Sequence, residues 1–225
     1  SEGAVSLSIS FSDLSGNSGI TVRSTTNSSA VQFDKTLPSL NEVTAVTTPT
    51  GDTTPNYTFS SNEEGTITYG GSCSSSTTSA SASNNAVTFN TLNGGTYSNC
   101  TIRVTDNASN ASNILSVSSF TIDTTSPSLN EVTAVTTPTG DTTPNYTFSS
   151  NEAGTITYGG SCSSSTTSAS ASNNTITFNA LADGTYDNCT ITVTDSVSNI
   201  SDNLTVSFFT IGATKPALAE VTAVP

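Results

Sequence analysis

Residues 40–63 read LNEVTAVTTPTGDTTPNYTFSSNE, and the same 24 residues recur without change at 129–152. The duplication extends well beyond this string. The stretch from Pro38 to Ser126 recurs from Pro127 to Lys215 with an offset of 89 residues and only 18 differing positions. A third copy opens at Pro216 as PALAEVTAVP. Residues 1–37 read as the tail of a more divergent copy: FSDLSGN at Phe11–Asn17 parallels VTDNASN at Val104–Asn110, and VQFDKTLPSLNEV at Val31 parallels FTIDTTSPSLNEV at Phe120. A fixed period of this length is the signature of a repeat architecture. The expected organisation is therefore residues 1–37 as C-terminal strands of a preceding repeat, 38–126 and 127–215 as complete repeats, and 216–225 as the first strand of another. On this reading the chain is an excerpt from a longer tandem array.

Within one copy the apolar residues alternate with period two, the strand signature. NYTFSS sets Tyr57 and Phe59 on one face, GTITYGGSC sets Ile67, Tyr69 and Cys73, AVTFN sets Val87 and Phe89, and CTIRVTD sets Cys100, Ile102 and Val104. In ILSVSSFTID the parity changes between Val117 and Phe120, which predicts a bulge. No stretch carries a 3.6-residue apolar period. Turn clusters (TTPTGDTTPN, SNEEG, NGGTYSN, DNASN) separate the strands at the spacing of an all-β sandwich. About seven strands per 89 residues predicts tandem immunoglobulin-like β-sandwich domains. Ser and Thr account for 85 of the 225 residues. They suit the solvated face of a sheet, and a sandwich needs only alternate residues apolar. Ser72–Ser83 lies between two strands of one domain and reads as a polar strand or loop.

Composition narrows function. The chain has no His, Met or Trp and a net charge of −13. A Ser-His-Asp or Cys-His catalytic set is therefore excluded, as is a histidine metal site. Such a charge repels nucleic acid and anionic membranes, and no apolar run is long enough to span a bilayer. Glu63 and Glu64 resemble a carboxylate pair, but the second copy has Glu152 followed by Ala153. Lys35 and Lys215, in linkers, are misplaced for an isopeptide bond from a strand. Gln32, the single glutamine, leaves no glutamine within the repeats for an ester crosslink. The expectation is a protein that is not an enzyme.

Each copy has one cysteine pair, Cys73 with Cys100 and Cys162 with Cys189. In the expected topology Cys73 follows the third strand and Cys100 opens the sixth, so both lie at one pole and face inward. One disulfide per repeat follows, worth roughly 3–4 kcal/mol by loop-closure entropy, and it implies an oxidising compartment. The opposite pole gathers acids. The loop between the second and third strands and the hairpin between the sixth and seventh both face the preceding linker. This brings Asp34, Glu63, Asp106 and Asn110 to one junction and Asp123, Glu152, Asp195 and Asn199 to the next. Oxygen ligands from several loops suit calcium. The alternative is that Asp106 and Asp195 are turn residues bonded to their own backbone. Gly212 replaces the linker aspartate at the third junction.

The DTTSP linker, the EVTAV first strand, the GTITY strand and the VTDxxxN hairpin, in this order and period, resemble the bacterial immunoglobulin-like tandem repeats of very large surface and biofilm adhesins. The resemblance covers nearly the whole chain. It implies an extracellular, cell-surface stalk or spacer that projects a distal binding region, often stiffened by calcium between domains. Partners would be neighbouring repeats, identical chains, or a cell-surface or matrix component. The alternative is a structural subunit of an extracellular filament, sheath or matrix fibre assembled by strand exchange or head-to-tail contacts.

Overall fold

A computed structural model describes residues 3–23 and 32–212. The chain divides into two compact units, one of Ser1–Thr48 with Asp52–Ile122 and one of Pro49–Gly51 with Asp123–Pro225. All regular structure among the described residues is β, beginning with β1 (Gly3–Ala4) paired to β2 (Gln32–Phe33).

In the first unit the complete repeat supplies β3 (Leu40–Thr44), β4 (Asn56–Ser61), β5 (Gly65–Gly70), β6 (Ser79–Ala80), β7 (Asn84–Thr88), β8 (Gly95–Tyr97), β9 (Thr101–Thr105), β10 (Leu115–Ser116) and β11 (Phe120–Ile122). One antiparallel sheet has the order β3-β4-β7, a second β10-β9-β5-β6, and β11 pairs with β8. Alternation places Tyr57, Phe59 and Val87 of the first sheet and Ile67, Ile102 and Val104 of the second in one core. The intervening Thr, Ser and Arg side chains of β4 and β9 stay at the surface or half-buried. The second unit repeats this arrangement in β12 (Leu129–Thr133), β13 (Asn145–Ser150), β14 (Gly154–Gly159), β15 (Ser168–Ala169), β16 (Asn173–Thr177), β17 (Gly184–Tyr186), β18 (Thr190–Thr194), β19 (Leu204–Thr205) and β20 (Phe209–Ile211).

Four rings run through each core. Tyr57, Phe89, Phe120 and Tyr97 stack with successive centroid separations of 5.9, 6.1 and 5.3 Å, and Tyr146, Phe178, Phe209 and Tyr186 follow at 5.9, 6.0 and 5.2 Å. Tyr97 and Tyr186, at one end of each column, keep their hydroxyls satisfied: Tyr97 donates to the Asn93 carbonyl at 2.9 Å and Tyr186 to that of Ala182 at 3.0 Å.

Two details differ from expectation. The parity change after Val117 is a switch of sheets, not a bulge. β10 pairs with β9 whereas β11 pairs with β8, so Val117 and Phe120 enter the same core from different sheets. The bulge lies instead in the first strand, where the register shifts between Glu42 and Thr44 and again between Glu131 and Thr133. With the last strand split and the short β6 and β8 counted, each repeat has nine elements in place of about seven.

The disulfides Cys73–Cys100 and Cys162–Cys189 form, with Cα atoms 5.2 and 5.3 Å apart. Each joins the end of one strand to the start of its neighbour in the same sheet, since β5 pairs with β9 and β14 with β18. Gly71 makes this approach possible. Its φ is 72°, and a Cβ there would strike the Asn99 carbonyl. Gly71→Ala should therefore lower stability by about 2 kcal/mol or more, combining left-handed strain with the clash. Urea unfolding of the variant would check it, and an unchanged midpoint would refute it.

Candidate metal centre

The loop between β4 and β5 presents Glu63. Buried Ser61 shapes it, donating from Oγ to the Glu63 carbonyl at 2.6 Å and accepting the Glu63 amide at 3.3 Å. Asn62 ties this loop to the incoming chain, its Oδ1 accepting the Ser39 amide at 2.6 Å. Asp34 takes the Thr36 amide at 2.9 Å. Glu152 repeats the arrangement with Ser150, Asn151 and Ser128, and Asp123 accepts the Thr125 amide at 3.0 Å.

Asp106 stands at the head of the hairpin that follows β9. The turn closes by backbone bonds from Asp106 N to Asn110 O at 2.9 Å and from Ser109 N to Asp106 O at 3.2 Å. Asn110 then donates its amide to Asp106 Oδ1 at 2.8 Å and its side-chain nitrogen to Oδ2 at 2.9 Å. Asp195 and Asn199 make the same bonds at 2.9 and 2.8 Å. The divergent N-terminal segment makes them too, Asn17 donating twice to Asp13 at 2.9 Å. The alternative reading of Asp106 and Asp195 as turn residues thus describes their local bonding. The penultimate residue of each turn is left-handed: Gly16 at φ 86°, Ser109 at 70° and Ser198 at 75°. Ser198→Gly should relieve that strain and gain roughly 0.5–1 kcal/mol, after the larger chain entropy of Gly is subtracted. A lower thermal midpoint for this variant would contradict the assignment.

The turn and the loop bring the acids together. One carboxylate oxygen from each of Asp34, Glu63 and Asp106 lies within 4.8 Å of the others, and so do those of Asp123, Glu152 and Asp195. Asn110 and Asn199 join each linker to its hairpin, donating to the carbonyls of Asp34 and Asp123 at 3.2 Å. Here the two asparagines offer nitrogen, not oxygen, toward the cluster. Glu64 lines the same cleft as Glu63 in the first repeat, where the second has Ala153.

Burial pushes the Glu152 carboxyl up, and the negative charges of Asp123 and Asp195 push it further. Burial would also raise Asp195, but hydrogen bonds from the Asn199 side chain and from the amides of Asn199, Val197 and Ser198 outweigh it and leave the carboxyl below its ordinary value. Asp106 is held down in the same way by Asn110, Ala108 and Ser109. Asp195 thus stays charged while Glu152 resists ionisation beside it. A divalent cation would reverse that resistance by neutralising the excess charge. Three carboxylates are hard oxygen donors that fit calcium or magnesium, and the lone pairs not used by the turn stay available.

A second pair of acids escaped the reading of motifs. Glu42 in β3 accepts the Ser118 amide at 3.0 Å and its hydroxyl at 2.6 Å. Glu131 accepts the same groups of Ser207 at 2.9 and 2.7 Å, and also the Tyr146 hydroxyl at 3.0 Å. These serines sit where the chain changes sheets and the ladder leaves an amide unpaired, so the glutamate clasps the crossover. The recurrence of Glu at 42, 131 and 220 was the available signal. Burial raises both carboxyls, but the Ser118 or Ser207 bonds, joined at Glu131 by the Tyr146 hydroxyl, prevail and lower them. A depressed folded-state pKa contributes stability above the unfolded carboxylate pKa, lost as pH falls through the folded value. Glu131→Gln should therefore cost about 1 kcal/mol at neutral pH, allowing for solvent screening. The gap to the unmodified protein should close in acid below the carboxylate range. A pH-independent gap would show that the loss is steric.

No protein-family profile matches the chain, and comparison with curated proteins yields no significant relative. Among the described residues no helix is long and apolar enough to cross a membrane. The two disulfides are of the kind that form and persist in an oxidising compartment.

Proposed function

We propose that this chain is an extracellular, non-catalytic spacer: immunoglobulin-like modules of the kind found in large bacterial surface adhesins, stacked to hold a binding region away from a cell. One observation carries this reading. Two repeats that differ at 18 of 89 positions keep the same core, disulfide, turns and crossover clasp. The differing positions include Arg103, which is Thr192 in the second repeat, and Asn107, which is Ser196. What repeats is the scaffold. Single-molecule pulling tests it: two unfolding events of similar force are expected, each lengthened by roughly 100 Å when the 27-residue cysteine separation is freed by reduction, at the reach of an extended chain. Tight binding of cells or glycans by an isolated repeat would instead make the repeat the adhesive surface and defeat the spacer reading.

Calcium belongs to this reading, held by Asp34, Glu63 and Asp106 and by Asp123, Glu152 and Asp195, where it would bind linker to hairpin. Millimolar calcium should narrow the distribution of dimensions in small-angle scattering relative to chelator, and Asp106→Asn together with Asp195→Asn should abolish the difference. Identical profiles with and without calcium would remove the cation from the proposal. The alternative is a subunit of an extracellular filament, sheath or matrix fibre, assembled by strand exchange or head-to-tail contacts.

A further inference from the structure

Composition removes most of the side chains that decay chemically. The chain has no His, Met or Trp, and its four cysteines are closed as disulfides, so the usual targets of oxidation are missing. Asparagine remains, and its amide is thermally labile. Most of the described asparagines are tied down. Asn85, Asn90, Asn99 and Asn110 donate from the side-chain nitrogen to a nearby Ser or Asp at 2.8–3.1 Å, and their counterparts in the second repeat do the same.

Asn93 differs on three counts. It is exposed, its carboxamide is engaged by no group among the described residues, and it is the only asparagine of the chain followed by glycine. Asn41, Asn107 and Asn113 are exposed too, but they precede Glu, Ala and Ile, whose side chains shield the amide nitrogen they carry. Gly94 carries no such shield. Residues 91–94 lie between β7 and β8, outside any strand, so no ladder holds Asn93 extended. The loop is pinned on either side, by the Leu92 amide donating to the Thr53 carbonyl at 2.8 Å and by the Tyr97 hydroxyl donating to the Asn93 carbonyl at 2.9 Å. The second repeat keeps both anchors, from Leu181 to Thr142 at 2.8 Å and from Tyr186 to Ala182 at 3.0 Å, but reads Ala182-Asp183-Gly184 in place of Asn93-Gly94-Gly95. The anchors belong to the scaffold, whereas the reactive amide belongs to the first repeat alone.

We infer that Asn93–Gly94 is a site of spontaneous covalent modification, at which the asparagine passes through a succinimide to a mixture of isoaspartate and aspartate. The Gly94 nitrogen gives up its proton to base and attacks the Asn93 side-chain carbonyl carbon. A C–N bond forms, the carboxamide nitrogen leaves as ammonia, and no electrons are exchanged with an oxidant or reductant. Water then opens the ring. Attack at the side-chain carbonyl gives aspartate, and attack at the main-chain carbonyl gives isoaspartate, in which the chain runs through the former side chain. In the isoaspartyl form the carbonyl that accepts the Tyr97 hydroxyl becomes a free carboxylate, a stronger acceptor. Either product adds one negative charge to a chain already at −13. Asp183–Gly184 closes the same ring only by expelling water, with no change in final mass or charge. This chemistry is independent of whether the modules act as a spacer.

The test is to age the full 225-residue chain, disulfides oxidised, in mildly alkaline buffer. Peptide mapping by mass spectrometry, with fragmentation that separates isoaspartate from aspartate, reads the products. Amide loss at Asn93 should outpace that at every other asparagine by about tenfold or more, a barrier difference of about 1.4 kcal/mol. It should rise with pH, and isoaspartate should be among the products. Gly94→Val should slow it by a similar factor. A side chain is compatible with the fold there, since Asp183 holds the corresponding position, and the shielding is local, so the variant reports on ring closure and not on folding. Faster loss at another asparagine, an unchanged rate in Gly94→Val, or aspartate alone without isoaspartate would each overturn the inference.

Discussion

Replacing Cys162 and Cys189 together by serine should lower the unfolding midpoint of the second repeat by roughly 15–25 °C. The crosslink spans 27 residues, and closing such a loop in the unfolded chain is worth roughly 3–4 kcal/mol. For a domain near 90 residues each kcal/mol moves the midpoint by about 4–8 °C. The geometry supports a full return on that entropy, because the sulfurs join strands already paired, β14 to β18, and the cysteines are buried. Calorimetry on the oxidised protein and the double variant would check it, with the first repeat as an internal control since Cys73–Cys100 is untouched. A shift below about 5 °C would show that the loop is already constrained in the unfolded state, as the model-dependence of the entropic account allows.

Phe209→Ala should be as damaging, at about 3–5 kcal/mol, the range for removing a buried phenylalanine. Phe209 is fully buried and stacks on both Phe178 and Tyr186, so truncation interrupts the ring column at its centre. It also opens a cavity beneath β20, which pairs with β17 on one edge and is held on the other by Thr137 and Thr139. Phe209→Leu retains most of the volume and should cost less than half as much. In denaturant titrations the midpoint should fall with an unchanged slope, the mark of lost native stability. If leucine and alanine were equally destabilising, ring stacking would outweigh volume and the packing argument would fail.

Much of this architecture is local, and the local part was legible. Alternation in NYTFSS, GTITY and CTIRV assigns Tyr57, Phe59, Ile67, Ile102 and Val104 to the inside because successive side chains of a strand must point to opposite faces. The Asp-x-x-x-Asn turns are written in five residues, and the paired cysteines follow from repeat spacing plus inward parity. The gathering of Asp34, Glu63 and Asp106 was legible too, once the strands were given an order. The donor orientation of Asn110 was not, because it depends on which acceptors the folded turn places around the amide.

What only the tertiary structure decided involves groups far apart in the chain. Val117 and Phe120 both read as inward residues of one strand, and a parity break looks the same whether a bulge or a change of sheet causes it. The partner strand settles which, and Tyr97 pairs with Phe120 across 23 positions. Glu42 reads as a polar residue in a strand until Ser118, 76 residues away, brings its unpaired amide to the carboxylate. Ile102 follows the same rule: its alternation marks it as inward, but hydrophobic burial depends on which surface arrives to displace water, and for Ile102 that surface is the facing sheet that carries Tyr57, Phe59 and Val87.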